Sequence, residues 1–151
     1  MGDNMIIAVD DKNLMQAAKI HSISWIDSHK SFCTPEFILL HSIDNQLEYI
    51  KDKINSGSKF YMLVGEKPVG VVSITDSLIE DLYILPDKQN MGYGTKLLEF
   101  AIKECKSIPT LWILENNIRA KALYLRMGFI ETGRINVITD TLNEIELIFK
   151  D

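Results

Sequence analysis

The stretch that most restricts the fold is IEDLYIL followed by PDKQNMGYG and then TKLLEFAIKECK, over residues 79–106. The first run is rich in β-branched and aromatic residues and reads as a strand. In the last, Leu97, Leu98, Ala101, Ile102 and Cys105 recur at helical spacing on one face. Gly92 and Gly94 stand at the junction, and Thr95 is placed to cap the helix. The free N–H groups of a first helical turn, reinforced by the helix dipole, attract an anion, and missing side chains let a phosphate approach the backbone. A tight turn with positive φ asks for the same glycines. The first turn, however, carries Lys96 and no carboxylate, whereas a helix tuned for stability favours Asp or Glu there. The junction therefore reads as an anion site.

The rest of the chain parses around this unit. MIIAV (5–9) reads as a strand, Asp10 and Asp11 as caps for a helix with apolar positions Leu14, Ala17, Ala18, Ile20 and Ile23, and SFCTPEFILLHS as irregular chain broken by Pro35. IDNQLEYIKDKINSG reads as a helix stopped by Gly57. KFYMLVGE and KPVGVVSITD read as a hairpin that SLIEDLYILP extends, followed by helix 95–106, strand TLWILEN, helix 118–127, and strands FIETGRINVI and NEIELIFK. A strand, helix, strand order implies a right-handed crossover between parallel strands. The expected fold is a single α/β domain over residues 1–151, with a mixed sheet of about seven strands and helices on both faces.

Familiar nucleotide loops fail on spacing. A dinucleotide fingerprint needs a third glycine where Leu97 stands, and no G-x-x-x-x-G-K-[ST] string is present. The pattern that fits is Q/R-x-x-G-x-G/A, met by Gln89, Gly92 and Gly94. Together with LYILPDKQNMGYGTKLLEFAIKE and then LWILENNIRAKALYLRMGFIETG, whose order is strand, Asn, helix, LY, GF, the chain resembles the GNAT superfamily of N-acetyltransferases over about residues 70 to 133. The segment IHSISWIDSHKSFCTPEFI is only loosely similar.

The resemblance implies acetyl-CoA as cosubstrate and an amine as acceptor, joined by direct attack in a ternary complex. The pyrophosphate would lie on the loop of Gln89, Asn90, Met91, Gly92, Tyr93, Gly94 and Thr95, and the pantetheine arm against the backbone of Leu82 and Ile84. A bulge in the fourth or fifth strand would open the groove. Asn117 would cap the following helix and touch the cofactor, and Tyr124 would protonate the departing thiolate. For the general base, strand alternation puts Glu80 on the face of Leu82 and Ile84, with Asp81 and Glu115 as rivals. The acceptor groove would draw on Trp25, His29, Phe32, Glu36, Arg134 and the 134–143 loop, and a homodimer is compatible with the resemblance.

The net charge of −5 argues against general affinity for nucleic acid, which needs clustered Lys and Arg. No leader-like start and no bilayer-length apolar run is seen, so a cytoplasmic protein without membrane insertion is expected. Cys33 and Cys105, with His21, His29 and His41, match no zinc spacing, and no metal is expected. Two other classes fit the same residues: a non-catalytic acyl-CoA-binding module, and a nucleotide-binding or purely structural α/β domain.

Overall fold

Strand β3 (Pro68–Thr75) is the spine of the structure, a computed structural model that describes residues 4–150. Its interior positions are buried on both faces, so it reads as a near-continuous apolar run rather than an alternating one. The remaining strands are β1 (Met5–Ala8), β2 (Lys59–Val64), β4 (Leu78–Ile84), β5 (Thr110–Leu114), β6 (Phe129–Val137) and β7 (Asn143–Phe149). They form one seven-stranded sheet in the order β1-β2-β3-β4-β5-β7-β6. All neighbours are antiparallel except β4 and β5.

Helices cover both faces. On one, α1 (Leu14–His29) and α3 (Ile43–Asn55) bury Ala17, Ala18, Ile20 and Ile50 against Phe60, Met62 and Val71. On the other, α4 (Tyr93–Glu104) and α5 (Ile118–Arg126) cover Leu63, Val72, Ile74, Leu111 and Leu147, with Leu97, Leu98 and Ala101 of α4 fully buried. Met62 and Leu63, like Val71 and Val72, go to opposite faces, as the strand period of two requires. Among the described residues no helix is long and apolar enough to cross a membrane.

Three local expectations need correction. Asp10 and Asp11 do not cap α1. Its N-cap position is Asn13, and Asp10 instead closes a turn by accepting from the Lys12 N–H at 2.9 Å. Ile23, expected on the apolar face, is 41% exposed. The segment around Pro35 is not wholly irregular, because Pro35 starts a short helix α2 (Pro35–Leu39) behind the Thr34 cap, where its missing N–H costs nothing.

The feature that shapes the site is a bulge in β4. Val71 lies opposite Tyr83 and Ser73 opposite Glu80, so Asp81 and Leu82 together face Val72 alone. Asp81 takes the extra turn in the left-handed region, at φ 56°. β4 holds β5 only at its start: Leu78 with Thr110, three residues before the bulge, is the sole paired position between them. The two parallel strands splay toward the end of β4, and the groove between them opens beneath the starts of α4 and α5.

Candidate active site

The expected phosphate loop runs from the short 3-10 turn Pro86–Lys88 into α4. Asn90 and Gly92 are both left-handed, at φ 64° and 86°, and curl the chain. Gly92, not Thr95, is the N-cap of α4, which starts two residues earlier than expected because the left-handed glycine lets Tyr93 enter the helix directly. The first bond of the helix runs from the Lys96 N–H to the Gly92 carbonyl at 3.1 Å. None of the described backbone turn and cap bonds is donated by residues 90 to 95, and no side chain caps the helix. That leaves a row of N–H groups free for an anion. Gln89 serves the loop differently, since its Nε2 donates to the Ile84 carbonyl at 3.1 Å and straps the loop to the end of β4.

These groups rim a cleft of about 480 Å³ between β4, α4 and α5. Leu82, Ile84, Gln89, Asn90, Gly92, Gly94, Thr95 and Asn117 line it, as does Tyr124. The side chains of Met91 and Tyr93 do not. Met91 is 61% exposed, and Tyr93, the first residue of α4, packs on the core. Arg119 and Arg126 of α5 add positive charge to the wall, which sequence reasoning did not single out. Asn117 caps α5, its Oδ1 accepting from the Ala120 N–H at 3.2 Å.

A second cavity of about 230 Å³ adjoins the first, and Leu82, Tyr83, Asn117, Ala120 and Tyr124 line both. Tyr124 therefore stands at the junction. It is 6% exposed, its ring packs edge-on against Phe129 at 5.8 Å, and burial with the nearby Asp81 charge pushes its phenol well above the ordinary range. The hydroxyl stays protonated at any neutral pH and has no described protein partner. The smaller cavity takes in Trp25 and His29 as expected, but not Phe32, Glu36 or Arg134. Arg134 is drawn away by Glu146 at 3.3 Å, and β6 takes up residues 134–137 of the expected 134–143 loop, of which Ile138 lines the cavity.

The three carboxylates weighed as bases separate clearly. The bulge shifts strand parity, so Ile79 joins Ile84 and Leu82 in the core under α4. The carboxylate of Glu80 thereby leaves their face and pairs with Lys53 on α3. Alternation counted through an unseen bulge gave the wrong face. Asp81 is held from three sides: His21 Nε2 donates at 2.8 Å, Ser73 Oγ at 2.7 Å, and the Tyr49 hydroxyl at 3.1 Å, with Lys53 Nζ at 3.8 Å. Burial alone would raise its pKa. The bond and charge of His21, with Lys53 and Ser73, hold it below the ordinary carboxylate range. Glu115 is exposed and lines neither cavity. Sequence reasoning did not assign His21 a role, although His21, Trp25 and His29 recur every four residues on one face of α1 and all are buried.

His29 has a consequence for stability. Burial lowers its pKa from 6.5 to about 4, against the hydrogen bond to the Trp25 carbonyl and with help from the His41 and His21 charges. Between those values the unfolded chain binds a proton that the folded chain refuses, so stability falls as pH drops through this window, by about 3 kcal/mol in all. Urea midpoints at pH 7 and pH 4 should show this loss in the wild type and much less of it in His29→Phe. An equal fall in both would remove His29 as the cause.

Residues 17–129 match the family model of the Acetyltransferase (GNAT) family. The peptidyl-lysine N-acetyltransferase YjaB of Salmonella typhimurium is 35% identical over 72 residues, 48% of this chain and 49% of that protein. YjaB of Escherichia coli is 32% identical over 72 residues, 48% of each. The chain thus spans about half the length of the curated relatives it matches. Among solved structures, apo-form YjaB from Escherichia coli superposes with a TM-score of 0.73 at 21% identity, over 97% of both chains. Spermidine N-acetyltransferase from Vibrio cholerae, in complex with CoA and spermine, gives 0.70 at 16% identity over 97% of this chain and 94% of that one. At those identities the likeness speaks for the fold, whereas the family match covers most of the chain and includes the loop, the bulged strand and Tyr124. The chain belongs to the acetyltransferase (GNAT) family.

Proposed function

We propose that this protein transfers the acetyl group of acetyl-CoA to a primary amine by direct attack within a ternary complex. The observation that carries the reading is the row of undonated N–H groups at residues 90 to 95, opening on the cleft that Tyr124 also lines. The loop N–H groups bind the diphosphate, and the backbone of Leu82 and Ile84, freed by the splay of β4 from β5, pairs with the pantetheine arm. The names of the relatives support an amine acceptor: a peptidyl lysine for YjaB, and spermidine for the Vibrio cholerae enzyme.

In the transfer, the amine nitrogen bonds to the thioester carbon as the carbon–sulfur bond breaks. Tyr124 gives its proton to the departing sulfur, and the amine loses one proton to a base. Asp81, saturated with donors and acidic, is a poor base, and Glu115 is out of reach of both cavities. Glu80 lines the acceptor cavity and fills this role with Lys53 as its partner.

Thermal shift with acetyl-CoA, ATP and NAD tests the donor, because a ligand bound only by the native state raises its stability. Acetyl-CoA alone should stabilise, and thiol release should then depend on added amine. Stabilisation by ATP or NAD alone would overturn the reading. Gly94→Ala sharpens the test. A Cβ there would meet Leu123 Cδ2 at 3.4 Å, an ordinary contact, and alanine favours a helix over glycine by about 1 kcal/mol. The variant should melt no lower than wild type yet bind acetyl-CoA at least about tenfold more weakly, since its methyl group stands where the diphosphate approaches the backbone. Undiminished binding would place the diphosphate elsewhere.

A further inference from the structure

The smaller cavity contains a device that acetyl transfer as described does not use. The indole of Trp25 lies between two imidazoles, His29 at 4.1 Å and 6° and His41 at 3.4 Å and 4° between ring centroids and planes. His29 ends α1, and His41 lies in the turn between α2 and α3. Both are anchored alike. His29 Nδ1 is 2.8 Å from the Trp25 carbonyl and His41 Nδ1 is 3.2 Å from the Phe37 carbonyl, in each case four residues back.

A carbonyl only accepts, so Nδ1 carries the hydrogen in both rings and Nε2 is left with a lone pair. No described protein group donates to either Nε2. Neither is sealed away, for the buried unpartnered side-chain atoms are His21 Nδ1 and Ser24 Oγ. Both rings line the cavity, and burial holds both below the ordinary histidine range, so they are neutral at pH 7. On the same cavity stands Glu144, whose described side-chain partner is the Asn136 amide at 3.0 Å rather than a cation. The cavity wall therefore offers lone pairs and negative charge, with the rings of Phe37 and Trp112 between them.

Such a wall fits a ligand rich in N–H donors with an apolar body. Because the two Nε2 atoms belong to rings on opposite faces of an indole, one nitrogen centre cannot serve both. We propose that the His29–Trp25–His41 stack recognises the acceptor, and that the acceptor is a primary alkylamine carrying a second N–H-bearing nitrogen, of the α,ω-diamine type. The inference rests on the acetyl-transfer reading and names the acceptor class for it. The imidazoles here accept hydrogen bonds and hold the acceptor, and the proton released in the reaction goes to the base described above.

The test reads the imidazole nitrogens by NMR in the whole protein at pH 8, titrated with 1,4-diaminobutane and with butylamine, without acetyl-CoA. Diaminobutane should shift the Nε2 resonances of His29 and His41, and butylamine should need at least about tenfold higher concentration for the same shift. His29→Phe keeps the stacked ring and removes the nitrogen, so diaminobutane should bind at least about tenfold more weakly while the acetyl-CoA thermal shift is retained. His41→Phe should do the same by the other face, and His29→Gln, whose amide oxygen reaches the place of Nε2, should restore part of the affinity. Nε2 resonances that diaminobutane leaves unmoved, equal affinity for butylamine, or wild-type binding in both phenylalanine variants would each overturn the proposal. Failure of acetyl-CoA to bind would instead strike the acetyl-transfer reading, which the amine titration does not involve.

Discussion

Tyr124→Phe should lower turnover by about 10²–10⁴-fold and leave acetyl-CoA affinity nearly unchanged. The ring contributes packing through its edge-on contact with Phe129, and phenylalanine keeps that contact. Only the hydroxyl is lost, and it has no described partner whose desolvation would follow. In the proposed transfer its role is chemical: a thiolate resembling that of cysteine, near pKa ~8.5, leaves more easily when a phenol hydrogen bonds to it as charge develops. Burial and the charge of Asp81 raise Tyr124 far enough that it does not ionise in the working range. The pH profile of thiol release should therefore show no alkaline limb assignable to this phenol below pH ~10. Stopped-flow or steady-state thiol release checks both statements, with calorimetry for affinity. Unchanged turnover in the variant would remove Tyr124 from the chemistry.

The parts of the site that were legible in the sequence are those set by local backbone chemistry. A left-handed turn needs Gly92, and a strand, loop and helix in that order put free N–H groups at a predictable place. Asn117 caps α5 for the same local reason, and Tyr124 follows two turns later. What was not legible depends on tertiary contacts. The bulge at Asp81 leaves no mark in the alternation of IEDLYIL, yet it reverses the parity of everything before it, which is why Glu80 points to Lys53 instead of joining Leu82 and Ile84. The pairing of His21 with Asp81 spans 60 positions, and the stack of His41 on Trp25 joins two elements across a turn. Neither has a local signature. The i, i+4, i+8 spacing of His21, Trp25 and His29 was available as a clue that α1 buries polar and aromatic side chains beside its apolar Ala17, Ala18 and Ile20.

Asp81→Ala should cost about 3–5 kcal/mol of folding stability, measured by urea unfolding at pH 7. The carboxylate is the common acceptor for α1, α3 and β3, through His21, Tyr49 and Ser73, and it lies 3.8 Å from Lys53. Removing it strands the His21 and Ser73 donors in the interior. It also removes what holds a non-glycine residue in the left-handed region, a conformation that costs roughly 1–2 kcal/mol unless its surroundings impose it. Asp81→Gly separates the two effects, because glycine accepts the backbone angle freely. It should recover only about 1 kcal/mol relative to alanine, the rest belonging to the lost carboxylate. The pH dependence has a definite sign. A carboxyl held below its unfolded value, 3.8, contributes fully above that pH and progressively less as pH falls through the folded value. Acid unfolding should thus show a step below pH ~4 that Asp81→Asn removes, distinct from the step at higher pH that His29→Phe removes. Because the bulge sets the course of β4 where it runs unpaired with β5, Asp81→Asn at neutral pH should also weaken acetyl-CoA binding even though Asp81 does not line the larger cleft. An Asp81→Ala protein within about 1 kcal/mol of wild type, binding acetyl-CoA normally, would mean that the backbone keeps the bulge without the carboxylate.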